Sequence, residues 1–386
     1  DYINVTGFWI LFNFVIGLYY FSALVIISRF NFDNSIRIGI LYIALYNIGR
    51  MISSFIAMKF NVGGKYLKIN YYVSIFFLIF TYIFHWSYQN QTSINYIILS
   101  GLPLGLMFSI ENIVQRSITP IILKKKFNIG FGVLGIFCWS LGAMFAPYYI
   151  LKLDQIKFMP IILIVIMLVF SFALGLNFKK NIKSYDFLIN NFKQRKMLCG
   201  HILNKLSLII ILFSMAIMGM IVVIFNSTLL PILKQNIQIR ENQIGIIYLV
   251  FLAGNFSAIF LNNLKKVSNI IVFKYTWPIY LSFYSAVTFL VFFLYDYLAF
   301  CLVIFITGFL TGLFPGLLIT YIQDQFKKDD YINVHSFAEF TMIVSGFLVY
   351  CFNNVLNLKI INYYPFLLVL LIIQTLFIIK MRRRNI

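Results

Sequence analysis

The sequence predicts an all-α membrane protein: twelve transmembrane helices in two pseudo-symmetric six-helix bundles. Three observations carry that reading. Long apolar runs follow one another along the whole chain. The longest polar interruption, NFKKNIKSYDFLINNFKQRKMLCGHILNK at 177–205, leaves six runs on each side. Short phrases of the first half return in the second at nearly constant offset: RIGILY at 37–42 as QIGIIY at 243–248, and SGLPLGLM at 100–107 as TGFLTGLF at 307–314.

Composition sets the solvent. Of 386 residues, 61% are hydrophobic and 11% charged, and the mean hydropathy is +0.91, far from the range of water-soluble domains. A hydrocarbon core of about 30 Å requires about 20 apolar residues per helix. The first half supplies six such runs: 6–28; 36–58, which contains ILYIALYNIGRMISSFIAM; 70–88; 95–121, with SIENIVQRS; 128–151, with GAMFAPYYI; and 158–178. The second supplies 206–233, 242–263, 269–294, 298–322, 333–357 and 361–380. A β-barrel would alternate apolar and polar residues over segments of about 10, and these runs are too long and too uniform for that. The chain begins at Asp1, so a short leader can precede it, but 6–28 has no small-residue cleavage site and reads as a retained span.

The boundaries follow: an N-terminal bundle over 1–178, a cytoplasmic loop over 179–205 and a C-terminal bundle over 206–386. The net charge of +20 belongs to orientation. With a cytoplasmic N-terminus, the inward segments hold 22 of the 31 Lys and Arg residues and the outward loops 7, with Arg50 and Arg116 inside spans. Cytoplasmic loops are enriched in these residues, so both termini are expected in the cytoplasm and the protein in the cell inner (plasma) membrane. No basic cluster sits on a soluble domain, which excludes a nucleic-acid partner. The four cysteines lie far apart and the three histidines lack ligand spacing, so neither a metal nor a cofactor is expected. The lipid bilayer is the expected surrounding, and the protein is expected to be a monomer.

Six-helix halves, a basic central loop and the phrase STLLPIL…IGIIYLVFLAGNFSAIFLNNLKK at 227–266 resemble the major facilitator superfamily over essentially the whole chain. GAMFAPYYI resembles the Gly-Pro element that closes the fifth helix in many of its exporters. The loop AMKFNVGGKYLK keeps Lys59, Gly63, Gly64 and Lys65 but has Met58 where the family usually has Asp, and the fourth span lacks the arginine of many drug/proton antiporters. The resemblance implies two bundles rocking about a midplane site. It places spans 1, 4, 7 and 10 around the cavity, 2, 5, 8 and 11 between the halves, and 3, 6, 9 and 12 against lipid.

Charges inside the membrane cost several kcal/mol unless paired or hydrated, so each is a functional candidate. Arg50, Glu111, Arg116 and Glu339 are such residues, and His335 shares a helix face with Glu339 four residues on. Arg50, Glu111 and Glu339 fall at similar depth, within about 6 Å at 1.5 Å per residue. Arg50 thus has two possible partners: Glu111 in its own half, or Glu339 across the contact between halves. The pair can be a static brace or can exchange during transport. Gln115 lies one turn beyond Glu111 and Arg116 one turn beyond Asn112, giving the fourth span two polar faces suited to a cavity. Asn13 and Asn226 offer a donor and an acceptor each in cavity helices. Tyr46 and Trp139 are candidate substrate contacts that packing could equally explain.

The function expected is secondary active transport of a small molecule by alternating access, coupled to protons through Glu111, with the fifth-span element favouring efflux of a siderophore or drug-like compound. Uptake of an amino acid or similar nutrient, an uncoupled facilitator, and a non-transporting sensor are the alternatives. An enzyme is not expected. Membrane transferases need clustered acids or histidines at the surface, and the sole adjacent acidic pair, Asp329 and Asp330, sits beside Lys327 and Lys328 in a short loop.

Overall fold

The computed structural model describes residues 2–60, 67–91, 93–122, 129–151, 206–264, 294–326 and 331–356, with isolated positions at 162, 165, 166, 168, 286, 287, 290 and 291. The described segments are helical: α1 (Tyr2–Ile27), α2 (Phe32–Phe60), α3 (Leu67–Gln91), α4 (Ile94–Ile122), α5 (Ile129–Leu151), α6 (Leu206–Asn236), α7 (Glu241–Leu264), α8 (Tyr297–Gln325) and α9 (Tyr331–Leu356). They match expected spans one to five, seven, eight, ten and eleven. Spans six, nine and twelve and the central loop lie largely or wholly outside the described residues.

By length and composition, Gly7–Ile27, Asp33–Ile56, Ile94–Ile113, Leu208–Asn236 and Asn333–Cys351 can each cross a membrane. Shorter apolar segments occupy α3, α5, α7 and α8. Helix ends are set locally. The Ser28 hydroxyl donates to Val25 O at 2.7 Å where α1 stops, and the Asp296 carboxylate caps α8 by accepting from the Ala299 N–H at 2.7 Å, satisfying a backbone donor that the helix itself cannot. On α3, Tyr72, Phe76, Phe80, Ile83 and Trp86 stay exposed at helical spacing, the apolar stripe expected of a lipid-facing helix.

Glycines decide which helices meet. A Cβ on Gly105 would overlap the carbonyl oxygen of Tyr46, and one on Gly49 that of Leu102, so α2 lies backbone to backbone on α4. The second half repeats this. A Cβ on Gly308 would overlap Phe251 O, and one on Gly254 would overlap Phe305 O, which fixes α7 on α8. Gly101 and Gly105 are the glycines of SGLPLGLM, and Gly308 and Gly312 those of TGFLTGLF, so the repeated phrases do the same packing work twice. A second correspondence is absent from the phrases. Gly17 and Gly142 close α1 on α5, and Gly219 and Gly346 close α6 on α9.

Two seams join the halves, α2 against α9 and α5 against α7. The second seam includes a hydrogen bond from Asn255 Nδ2 to Ser140 Oγ at 3.1 Å and the rings of Phe137 and Phe256, 6.1 Å apart. At the end of the bundle where α1 stops, Lys234 Nζ donates to Ser28 O at 2.9 Å, drawing α6 to α1.

Candidate functional site

Between the halves lies a cavity with about 1250 Å³ of empty space, its open mouth included. Its walls come from α1 (Trp9, Asn13, Tyr20), α2 (Tyr46, Asn47, Arg50), α4 (Phe108, Asn112), α5 (Gly135, Trp139), α6 (Met215, Met218, Asn226), α8 (Thr311, Leu318) and α9 (Glu339, Met342), among others. A smaller cavity shares Trp139, Val222, Asn226 and Thr311 with it and extends to Phe21 and Leu229. Spans 1, 4, 7 and 10 do line the cavity. Spans 2, 5 and 11 line it too, while also forming the seams between the halves that the resemblance implies. The reason is steric: Gly49 and Gly105 let α2 lie tight on α4, and Gly135 lets the Trp9 ring lean over α5, where a Cβ would overlap it.

Arg50 sits in this wall, and its side chain is 7% exposed. Of its two possible partners it holds Glu339, across the seam between α2 and α9. Nε donates to Glu339 Oε1 at 3.1 Å, and Nη2 donates to the same oxygen. Nη1 is 3.5 Å from Asn47 Oδ1. The guanidinium carbon stands 5.4 Å from the centre of the Tyr46 ring and 5.3 Å from that of Phe108, within cation–π range. An ion pair, two aromatic faces and an amide together hold a charge that hydrocarbon would otherwise exclude.

Seven of the eleven residues singled out from sequence line the cavity: Asn13, Tyr46, Arg50, Asn112, Trp139, Asn226 and Glu339. Glu111 is fully buried and His335 is 4% exposed, and neither is among the lining residues. The side chains of Gln115 and Arg116 lie outside the described residues. Asn13 Nδ2 donates to Trp9 O within its own helix at 2.8 Å, whereas Asn226 Nδ2 reaches Tyr20 Oη in the other half at 3.3 Å. Asn112 Nδ2 is buried without an acceptor.

Sequence reasoning did not single out Tyr20, Asn47, Phe108 or the thioethers of Met215, Met218 and Met342. Helical spacing held a signal for two of them, since Asn47 stands one turn before Arg50 and Phe108 one turn before Asn112. The methionines gave none, being indistinguishable from core residues in an apolar helix.

No protein-family model matches this sequence, and no curated protein matches it. Solved structures do. One is a bacterial homologue of the iron transporter ferroportin in an outward-facing state with soaked iron. It shares 15% identity and a TM-score of 0.62, with 98% of each chain covered. Another structure of a bacterial ferroportin homologue, also outward-facing, gives 13% identity and a TM-score of 0.60 over 97% of this chain and 98% of that one. The fold is the twelve-helix major facilitator type. The structural neighbours are transporter homologues, not enzymes.

Proposed function

We propose that this chain is a secondary transporter of the major facilitator superfamily that moves a small organic molecule across the cell inner membrane by alternating access. The observation that carries the reading is the cavity between two halves joined across their seam by Arg50 and Glu339. A buried pair spanning two rocking bodies is a bistable element: it stabilises one arrangement and must break to reach the other. The halves are 1–178 and 206–386, joined by a cytoplasmic segment at 179–205, with both termini in the cytoplasm and a monomer as the working unit. Ferroportin-type iron is not carried over to this chain. At 15% identity the likeness concerns the fold, and the one carboxylate among the described lining residues is held by Arg50.

Direction is proposed as efflux of a siderophore or drug-like compound, following the Gly-Pro element of α5. Coupling is proposed to be to protons through Glu111, a carboxyl group fully buried in α4, with Arg50 moving between Glu339 and Glu111 as the halves rock. Comparing metabolites inside and outside cells with and without the gene identifies the cargo. Uptake of that cargo into proteoliposomes with and without a pH gradient then tests coupling. Glu111→Gln should abolish concentrative transport while leaving exchange at equal concentrations. Concentrative transport with unchanged pH dependence in that variant would make Glu111 structural.

A further inference from the structure

We propose that the cargo of this cavity is an organic carboxylate on an apolar, aromatic-compatible body, and that it binds by replacing Glu339 on Arg50, so that substrate itself unfastens the seam between α2 and α9. The inference rests on the transporter reading and adds the chemical class of substrate and the group that recognises it.

Arg50 is engaged on one edge. A guanidinium offers five N–H donors in a planar fork that suits a carboxylate in two-point geometry. Here Nε and Nη2 converge on a single oxygen, Glu339 Oε1. Nη1 meets Asn47 Oδ1 only at 3.5 Å, beyond the usual range of about 2.7–3.2 Å for N–H···O. The Nη1–Nη2 edge therefore has donor capacity that Glu339 does not use, and Arg50 is a cavity-lining residue. A carboxylate arriving there can form two parallel hydrogen bonds where Glu339 supplies one oxygen.

A second donor belongs to the same cavity wall. Asn112 is 6% exposed, lines the cavity, and its Nδ2 has no hydrogen-bond acceptor. It stands one helical turn beyond Phe108, whose ring faces the guanidinium. A buried amide donor without a partner costs about 1–3 kcal/mol, and an anionic oxygen would satisfy it. A cationic ligand would bring further donors to donors.

The body of the ligand follows from the remaining wall. Trp9, Tyr20, Trp139, Met215, Met218 and Val222 present ring faces, thioethers and aliphatic surface, which rewards an apolar or aromatic skeleton. A bare divalent cation fits poorly. Calcium takes six to eight oxygen ligands and ferrous iron is held by imidazole and carboxylate groups, whereas the cavity's described lining residues include one carboxylate, already committed to Arg50, and no histidine.

Displacement also supplies a trigger. Substrate oxygens take the guanidinium, Glu339 is left to water or to a proton, and the ion pair holding α2 to α9 is gone while the cavity is loaded. Arg50 keeps an anionic partner throughout.

The test uses the full chain in lipid nanodiscs, with 2-naphthoate, its neutral amide and the aminomethyl analogue titrated by calorimetry. The carboxylate should bind at least about tenfold tighter than either analogue, since a charge-assisted two-point pair exceeds a neutral one by at least that ratio. Glu339→Gln, which removes the competitor, should tighten the carboxylate several-fold. Asn112→Ala should weaken the carboxylate and leave the amide unchanged, and Arg50→Gln should abolish the preference. If Arg50→Gln does not fold, the three-ligand comparison on the wild type and Asn112→Ala decide. Equal binding of the three ligands, no saturable binding of the carboxylate, looser binding in Glu339→Gln, or ferrous ion bound in preference would each overturn the proposal. Carboxylate binding at Arg50 without movement of labelled naphthoate into proteoliposomes would sink the transporter reading and keep this one. Transport of neutral cargo without carboxylate preference would do the reverse.

Discussion

Neutralising the two ends of the Arg50–Glu339 pair, singly and together, measures what joins the halves. At the Nε to Oε1 separation of 3.1 Å, unit charges attract by about 5 kcal/mol at an effective dielectric of about 20. The side chains are 7% and 4% exposed, so solvent removes little of this. Desolvation offsets most of the gain, and the pair as a whole contributes modestly. Removing one member leaves the other buried and uncompensated, which costs about 3–5 kcal/mol. Arg50→Gln and Glu339→Gln should each lose about that much stability in SDS-titrated unfolding in mixed micelles. The double variant, which retains two amides able to hydrogen-bond, should lose less than either single one. The coupling energy expected is about 3 kcal/mol or more in favour of the double variant. Effects that add to within about 0.5 kcal/mol would mean that the two groups do not interact across the seam, and the bistable-pair argument would fall with them.

The repeated glycines give a steric prediction. Gly105→Ala and Gly308→Ala each drive a methyl group into a backbone carbonyl of a neighbouring helix and should cost about 1–3 kcal/mol, as overpacking typically does, seen as lost monodisperse yield and a lower thermal midpoint. Gly39→Ala, whose Cβ would come no closer than 3.8 Å to Ser227 O, should fold like the wild type, and equal behaviour of all three would contradict the packing argument. The same Gly39–Ser227 approach allows a lock. With the native cysteines removed, Gly39→Cys and Ser227→Cys should form a disulfide between α2 and α6, arrest transport when oxidised, and recover on reduction. A cross-linked protein that still transports would show that this end of the bundle does not open.

Much of the fold was legible in the sequence because a bilayer imposes it. Every span must satisfy its backbone internally and present about 20 apolar residues, so hydropathy alone finds the helices. The repeat SGLPLGLM/TGFLTGLF also announced the two halves, since a glycine where backbones touch tolerates no other residue and so marks both copies. Depth counting brought Arg50 within reach of Glu111 and Glu339 because residues on spans of known polarity share a ruler of 1.5 Å per residue. Rotation about each helix axis was not legible. Hydrophobic residues surround these helices on all sides, so periodicity does not reveal which face turns inward, and neither the place of Tyr20 in the cavity wall nor the methionine wall could be read. The choice of Glu339 over Glu111 as the partner of Arg50 depends on the approach of α2 to α9 across two halves far apart in the chain. That approach is a property of helix packing, set jointly by Gly49, Gly105, Gly219 and Gly346, and only the tertiary structure decides it.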